Sequence, residues 1–332
     1  MRHGWKLKAR INLSGKYGDA LGVAVLTSIM VGALSILFSI ASSLGLPASQ
    51  SFLFDIFGLS DLTGQAFVPE ILLEGIREIV IFFFNQTWLV ALLILLIFLI
   101  RPLYALLVGN VVRVGQDRWF LRAAHTDMAP PIGMMFSLFR KGEYGRTVGA
   151  MFYRAFWLFL WSLPPFLALL LGTLPQQILV YFSLANRMHL TQGFILRISK
   201  QTGLPLFFFS LPFFLFGLLF SFIFSIILIR KRYRYRMMTY VLADNPALGA
   251  RRALHLSKEM TRGQVGRLFV LDLSFLGWIL LSLMCLCLPW IGLHLLAPYY
   301  RMTWAEAYKS LRDQAAAQGI LRMEELGYLR LA

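Results

Sequence analysis

Acidic side chains are scarce in this sequence: 16 Asp and Glu stand against 32 Lys and Arg, and charged residues of both signs make up only 14% of 332. An ordinary soluble domain carries about 25%. The shortage argues against a soluble enzyme, and the abundance of apolar residues excludes a disordered chain. Cysteine is nearly missing. Cys285 and Cys287 are separated by one residue, so their diverging side chains cannot close a relaxed disulfide. They read as small packing residues, with no disulfide framework and no metal knot. The five histidines, at 3, 125, 189, 255 and 294, lack ligand spacing. A phosphate-binding lysine loop, a Gly-x-Ser-x-Gly elbow and a His-Glu-x-x-His helix are all missing. The expectation is therefore a protein with no catalytic residues, no metal and no cofactor.

What the chain does have is apolar length: 58% of its residues are hydrophobic. A bilayer-spanning helix needs about 20 apolar residues. Blocks of that size run over 21–44, 79–100, 147–172 and 205–229, and a fifth apolar stretch covers 268–300. The first block is too long for the apolar core of a signal peptide, about 7–15 residues, and reads as a retained helix. The 33-residue stretch at 268–300 fits either one strongly tilted helix or a tight hairpin reversing near Pro289 and continuing to Tyr308.

Charge places these spans. With the N-terminus inside, segments 1–20, 101–146, 230–267 and 301–332 hold 27 of the 32 basic residues. That bias is the mark of cytoplasmic loops, and it accounts for the net charge of +16 without nucleic acid. The expected location is a cytoplasmic membrane, crossed several times, with both termini inside. The outer loops are 45–78, which is acidic, and 173–204, whose portion 188–198 fits a short amphipathic helix on the outer surface.

Three Gly-x-x-Gly pairs occupy matching places: Gly15 and Gly18, Gly142 and Gly145, Gly263 and Gly266. Each follows a basic amphipathic stretch (5–13, 132–140, 250–260) and opens an outward-going apolar block. On the return side, Arg101, Pro102 and Tyr104 align with Arg230, Lys231 and Tyr233, and with Ala297, Pro298 and Tyr300. These alignments predict an all-α polytopic membrane protein. Its six transmembrane helices form three repeated hairpins, each preceded by a cytoplasmic surface helix, in segments 1–112, 113–236 and 237–332. They also favour the hairpin over the tilted span. Glycine suits such turns because it accepts positive φ; the plainer alternative is that glycines merely mark helix ends.

Over these same residues the chain resembles a bacterial integral-membrane family known as domain of unknown function 975. The closest stretch holds Tyr240, Leu242, Ala243, Asp244, Asn245 and Pro246, then Ser257, Lys258, Met260 and Gly263, then Asp272, Gly277, Trp278, Pro298 and Tyr308. Weaker matches are Ala9, Arg10, Leu13, Gly15, Phe136, Phe139 and Trp161. The resemblance implies a multi-helix bacterial membrane protein and carries no activity with it.

Two features are candidate sites. Arg154 and Asp272 are charged residues inside apolar blocks, where burying charge is costly. They are expected to pair across helices, although Arg154 could instead snorkel to the surface. The second feature is the run Arg230, Lys231, Arg232, Arg234 and Arg236, interleaved with Tyr233 and Tyr235 at the inner boundary. Such a run attracts anionic headgroups, and it would also serve as an ordinary stop-transfer flank. The function expected is a non-enzymatic membrane scaffold or adaptor binding anionic lipid or a protein partner through its basic face. The alternative is a transporter or exporter of a small or amphiphilic solute, suggested by Pro164, Pro165, Pro212 and Pro298 inside spans.

Overall fold

The computed structural model describes residues 2–45, 100–185, 207–284 and 289–328. Among the described residues every regular element is helical. Helix α1 is Arg2–Leu13, and α2, Tyr17–Gly45, follows the first glycine turn. A π-helical turn, Ala105–Gly109, leads into α3, Asn110–Ala123. A 3₁₀ helix, Ile132–Phe139, precedes α4, Tyr144–Ala185. Then come α5 (Phe207–Arg236), α6 (Met238–Asp244), α7 (Ala250–Met260), α8 (Val265–Leu273), α9 (Leu276–Met284) and α10 (Pro289–Ala317). The 3₁₀ turn Met323–Leu326 comes last.

Among the described residues, three stretches are long and apolar enough to cross a membrane: Tyr144–Pro175, Leu211–Asp244 and Val265–Ser282. Their apolar side chains are left open; only 6% of the most apolar part of Leu211–Asp244 is buried. Phe213, Phe216, Phe220 and Phe222 are all exposed. A helix apolar on all sides and uncovered by protein is matched to lipid rather than water. The expected span 79–100 (all but its last residue), the outer-surface helix 188–198 and the Cys285–Cys287 segment fall outside the described residues. The second outer loop is expected to begin at residue 173, but α4 continues to Ala185 through Pro175.

The chain divides into two compact units that cut across the three segments read from the sequence. One holds Met1–Leu34, Pro102–Leu160 and Leu228–Ala332; the other holds Ser35–Arg101 and Trp161–Ile227. In the second unit, α4 and α5 cross at Gly172 and Gly217. A Cβ on Gly172 would lie 2.7 Å from Gly217 Cα, and one on Gly217 would lie 2.8 Å from the Ala168 carbonyl oxygen. Small residues let helix backbones approach this closely without a hydrophobic driving force.

The first unit carries the aromatic core, with Trp119, Phe120, Phe275, Trp304 and Tyr308 fully buried. Burying side chains of this size contributes about 1.5–3 kcal/mol each. The large rings are also satisfied at their polar ends: Trp119 Nε1 donates to the Pro130 carbonyl at 2.9 Å and Trp304 Nε1 to Asp272 at 3.0 Å. The second amphipathic stretch is 3₁₀ rather than α. Pro131 stands at its N-cap, and its buried residues, Met135 and Leu138, are three apart, the period at which 3₁₀ side chains share a face.

The stretch 268–300 is not one helix. It breaks at Ser274 and Phe275, and Pro289 opens α10, where a missing N–H costs nothing. Contacts between its two limbs run antiparallel. Ser282 lies against Gly292, Phe275 meets Tyr299 and Tyr300 ring to ring, and Asp272 reaches Tyr300 and Trp304.

Candidate functional site

The three glycine turns share a local geometry. Gly15, Gly142 and Gly263 adopt φ of 77°, 91° and 73°, a left-handed conformation costing about 1–2 kcal/mol for residues with a Cβ. The residue after each glycine donates its N–H to the carbonyl two residues before the glycine: Lys16 to Leu13 at 3.0 Å, Glu143 to Arg140 at 3.3 Å, Gln264 to Thr261 at 3.0 Å. The residue five beyond each glycine then closes a helical turn: Ala20 to Lys16, Thr147 to Glu143, Leu268 to Gln264. Gly18, Gly145 and Gly266 all sit in the first turn of the following helix, with open space where a Cβ would be.

Residues from all four of the basic segments read from the sequence meet in the first unit. Asn12 of α1 donates to Glu306 of α10 at 2.8 Å. Lys16, buried, donates its ammonium to the carbonyls of Ala123 and Thr126, and Lys309 donates to that of Ala124 at 2.8 Å. Two cations thus satisfy orphan carbonyls at the C-terminal end of α3, where the helix dipole is negative. At the other end of the contact, Arg118 bonds Ala243 O and Ser137 at 2.9 Å and pairs with Glu143 at 3.1 Å.

The Arg154–Asp272 pair expected from the sequence is corrected here. Asp272 is matched by Arg236, Nη1 to Oδ2 at 2.9 Å. It accepts three further hydrogen bonds: Tyr233 Oη at 2.7 Å, Tyr300 Oη at 2.9 Å and Trp304 Nε1 at 3.0 Å. Four donors use the carboxylate's full acceptor capacity. Arg236 also lies 3.4 Å over the Trp304 ring and donates to Tyr300 Oη at 2.6 Å. The reason is helical phase. Tyr233, Arg236 and Tyr240 are spaced i, i+3 and i+7, so they share one face and turn inward together.

The same phase divides the basic run. Arg236 is engaged inward. Arg234 Nε is buried, and the Arg234 carbonyl accepts from Ser257 Oγ at 2.7 Å. Arg230 and Arg232 lie on the open surface, and Lys231 is intermediate in exposure. Tyr104, aligned in sequence with Tyr233 and Tyr300, also bonds across to another helix, donating to Met30 O of α2 at 2.6 Å.

Arg154 lies elsewhere, in the field of Asp117. Asp117, missed in the sequence reading, is buried in α3 and faces Arg301 at 3.6 Å. Burial pushes its carboxyl above the usual range, and Arg301, Thr239, Arg236 and Arg154 pull it down. A second overlooked acid, Asp244, accepts from Tyr308 at 2.7 Å and Tyr328 at 3.0 Å, with Arg312 at 3.9 Å. Burial first, and Asp244 second, push the Tyr328 hydroxyl up to about 12. Both acids sit in segments whose basic excess drew the eye. The available signal was an acid framed by core residues, Val111, Val112 and Val114 before Asp117 and Val241, Leu242 and Ala243 before Asp244.

A cavity of about 650 Å³ opens between α1 and α10, lined among others by Trp5, Lys8, Asn12, Glu306, Lys309 and Asp313. Of its charged groups, Lys309 pairs with Glu306 at 3.1 Å. Among the described residues, no three His, Cys, Asp or Glu side chains come together as a metal ion would need.

Searches of the curated proteins and of the solved structures returned no match. A family match, however, covers residues 1–315, nearly the whole chain and including every glycine turn and both buried acids, and on it the chain belongs to the family described as protein of unknown function DUF975.

Proposed function

We propose that this protein is a non-enzymatic integral-membrane scaffold of a bacterial cytoplasmic membrane, whose basic inner face binds anionic lipid or a protein partner. In this reading six transmembrane helices form three hairpins, each entered through a surface helix and a glycine turn. The observation that carries it is the joining of all four basic segments in one unit while several of the acids there are spent internally. Asp244 and Asp272 are held by tyrosines and arginines, and Glu306 by Asn12 and Lys309. Exposed cations remain: Arg10, Arg140, Lys141, Arg146, Arg230, Arg232 and Arg251. Each near a membrane surface adds about 1 kcal/mol of attraction to anionic lipid. The carboxylate of Asp272 is saturated, so it offers no vacant coordination direction for a proton or sodium relay.

The contact of α1 with α10 supports placing both termini on one side, hence an even number of crossings between them. Single cysteines at Ser14 and Ala317, both exposed, are expected to react with a membrane-impermeant maleimide only after the inner face is opened. Labelling of the two from opposite faces would sink the six-helix arrangement.

For the basic face, the variant Arg230→Gln with Arg232→Gln removes the two surface cations of the run and leaves Arg236 in its internal pair. Native mass spectrometry of the purified protein should show fewer retained anionic lipids and unchanged zwitterionic ones, the loss deepening as salt screens the remaining charges over about 8 Å. Equal anionic lipid in variant and wild type would reduce the run to an insertion signal.

A further inference from the structure

Unlike Asp272, the carboxylate of Asp117 lies in a place with too many cations. Arg113 precedes it by one helical turn on α3, so the two share a face. Arg301 of α10 approaches its Oδ1 to 3.6 Å, a charge contact without a hydrogen bond. Oδ1 is left unpartnered although Asp117 is 97% buried (3% exposed). Arg154 of α4 couples to the same carboxylate and to Arg113, and its Nε is buried with no hydrogen-bond partner. Arg236, also coupled to Asp117, is already neutralised by Asp272. Three guanidiniums therefore depend on one carboxylate. Partial loss of water around its guanidinium, and the charge of Arg301, push Arg113 below its ordinary value even though the residue reaches the surface.

An unmatched guanidinium in the interior is costly, and proteins remove that cost with a counter-ion. Guanidiniums also match the planar, multi-acceptor shape of phosphate better than ammonium groups do. The cluster is open on one side, since Arg113 is exposed and the Arg301 side chain is 34% exposed, whereas Arg154 and Asp117 form its inner part. Arg154 lies on a helix long and apolar enough to span a membrane.

We propose that Arg113, Arg154 and Arg301 form a binding site for a phosphate-bearing anion, with Asp117 as the internal carboxylate that offsets part of their charge and competes with the anion for them. This site is separate from the surface cations Arg230 and Arg232, and it deepens the scaffold reading by naming where an anionic group is held specifically. The phosphate can belong to a phospholipid headgroup or be free in solution.

The test uses the full chain in neutral detergent, titrated in one arm with short-chain phosphatidylglycerol and in the other with inorganic phosphate. Binding is read by thermal shift and by adduct counting in native mass spectrometry. Arg113→Gln and Arg154→Gln should each weaken binding about tenfold, the loss of one charge-assisted hydrogen bond. Asp117→Asn should tighten it, because a negative charge leaves the site; a purely structural role for Asp117 would not give that sign. Should Arg154→Gln fail to fold, Arg113→Gln at the exposed edge carries the test. Response to phosphatidylglycerol alone identifies a lipid site, and response to both ligands a general phosphate site; each supports the proposal. Affinities unchanged in Arg113→Gln, or Asp117→Asn binding no more tightly than wild type, would overturn it. Loss confined to Arg230→Gln with Arg232→Gln would also overturn it, while leaving the basic face as a lipid surface.

Discussion

Asp272→Ala is expected to remove most of the folded protein from a detergent-extracted preparation. The carboxylate is the meeting point of three helices: Tyr233 and Arg236 come from α5, Tyr300 and Trp304 from α10, and Asp272 itself from α8. Truncation leaves four donors without an acceptor, and one of them is a guanidinium packed against Trp304. Removing one partner of such a pair costs about 3–5 kcal/mol, against a total stability of about 5–15 kcal/mol for a typical domain. Size-exclusion chromatography of a fluorescent fusion should show loss of the monodisperse peak. Arg236→Met should cost less, because three neutral donors still satisfy Asp272. Arg236→Met combined with Asp272→Leu should recover part of the loss, since neither charge is then stranded. The decisive contrary result is an Asp272→Ala protein that melts with the wild type. Arg154→Gln should not rescue Asp272→Ala, because Arg154 belongs to the Asp117 cluster.

Sequence periodicity revealed more of this fold than of its site, for a physical reason. The turn glycines were legible because a chain reversing into an apolar helix needs positive φ, and few residues other than glycine supply it. Gly15, Gly142 and Gly263 all take that conformation. The helices they open were legible from the length of the apolar blocks. The partner of Asp272 was harder, because several cations lie within reach of an acid near a helix end and helix rotation decides among them. A signal was present in the spacing of Tyr233, Arg236 and Tyr240, one aromatic face interrupted by a charge. Reading the basic run as alternating Arg and Tyr hid that face. Asp117 and Asp244 were hidden by composition: in segments dominated by Lys and Arg, an isolated acid looks like a solvated one. The join of α1 to α10 through Asn12 and Glu306 spans 294 residues and left no local trace.

Two glycine-to-alanine changes, both inside helices, should move stability in opposite directions. An alanine in place of glycine in a helix interior ordinarily gains about 0.5–1 kcal/mol, because the unfolded chain loses freedom. Gly149 in α4 offers that gain, with no atom within 4 Å of a Cβ built there. Gly115 in α3 is the reverse case. A Cβ there would stand 1.8 Å from the Met135 carbonyl oxygen and 2.8 Å from its carbon. The obstacle is backbone, so it cannot rotate aside as a side-chain end would. Relief requires α3 and the 3₁₀ helix to separate, and Met135 and Leu138 of that helix are completely buried. Separation would also strain the Arg118 bonds to Ser137 and Glu143, which fix the 3₁₀ helix and the second glycine turn to α3. Overpacking a core costs about 1–3 kcal/mol where side chains can adjust, and a backbone obstacle places Gly115→Ala at or above the upper end. Because heating is commonly irreversible for proteins of this kind, the two variants and the wild type should be melted at one scan rate in one detergent. Gly149→Ala should melt above the wild type and Gly115→Ala well below it. Wild-type melting of Gly115→Ala would mean that α3 and the 3₁₀ helix are not in backbone contact, and the inner assembly built on that contact would have to be redrawn.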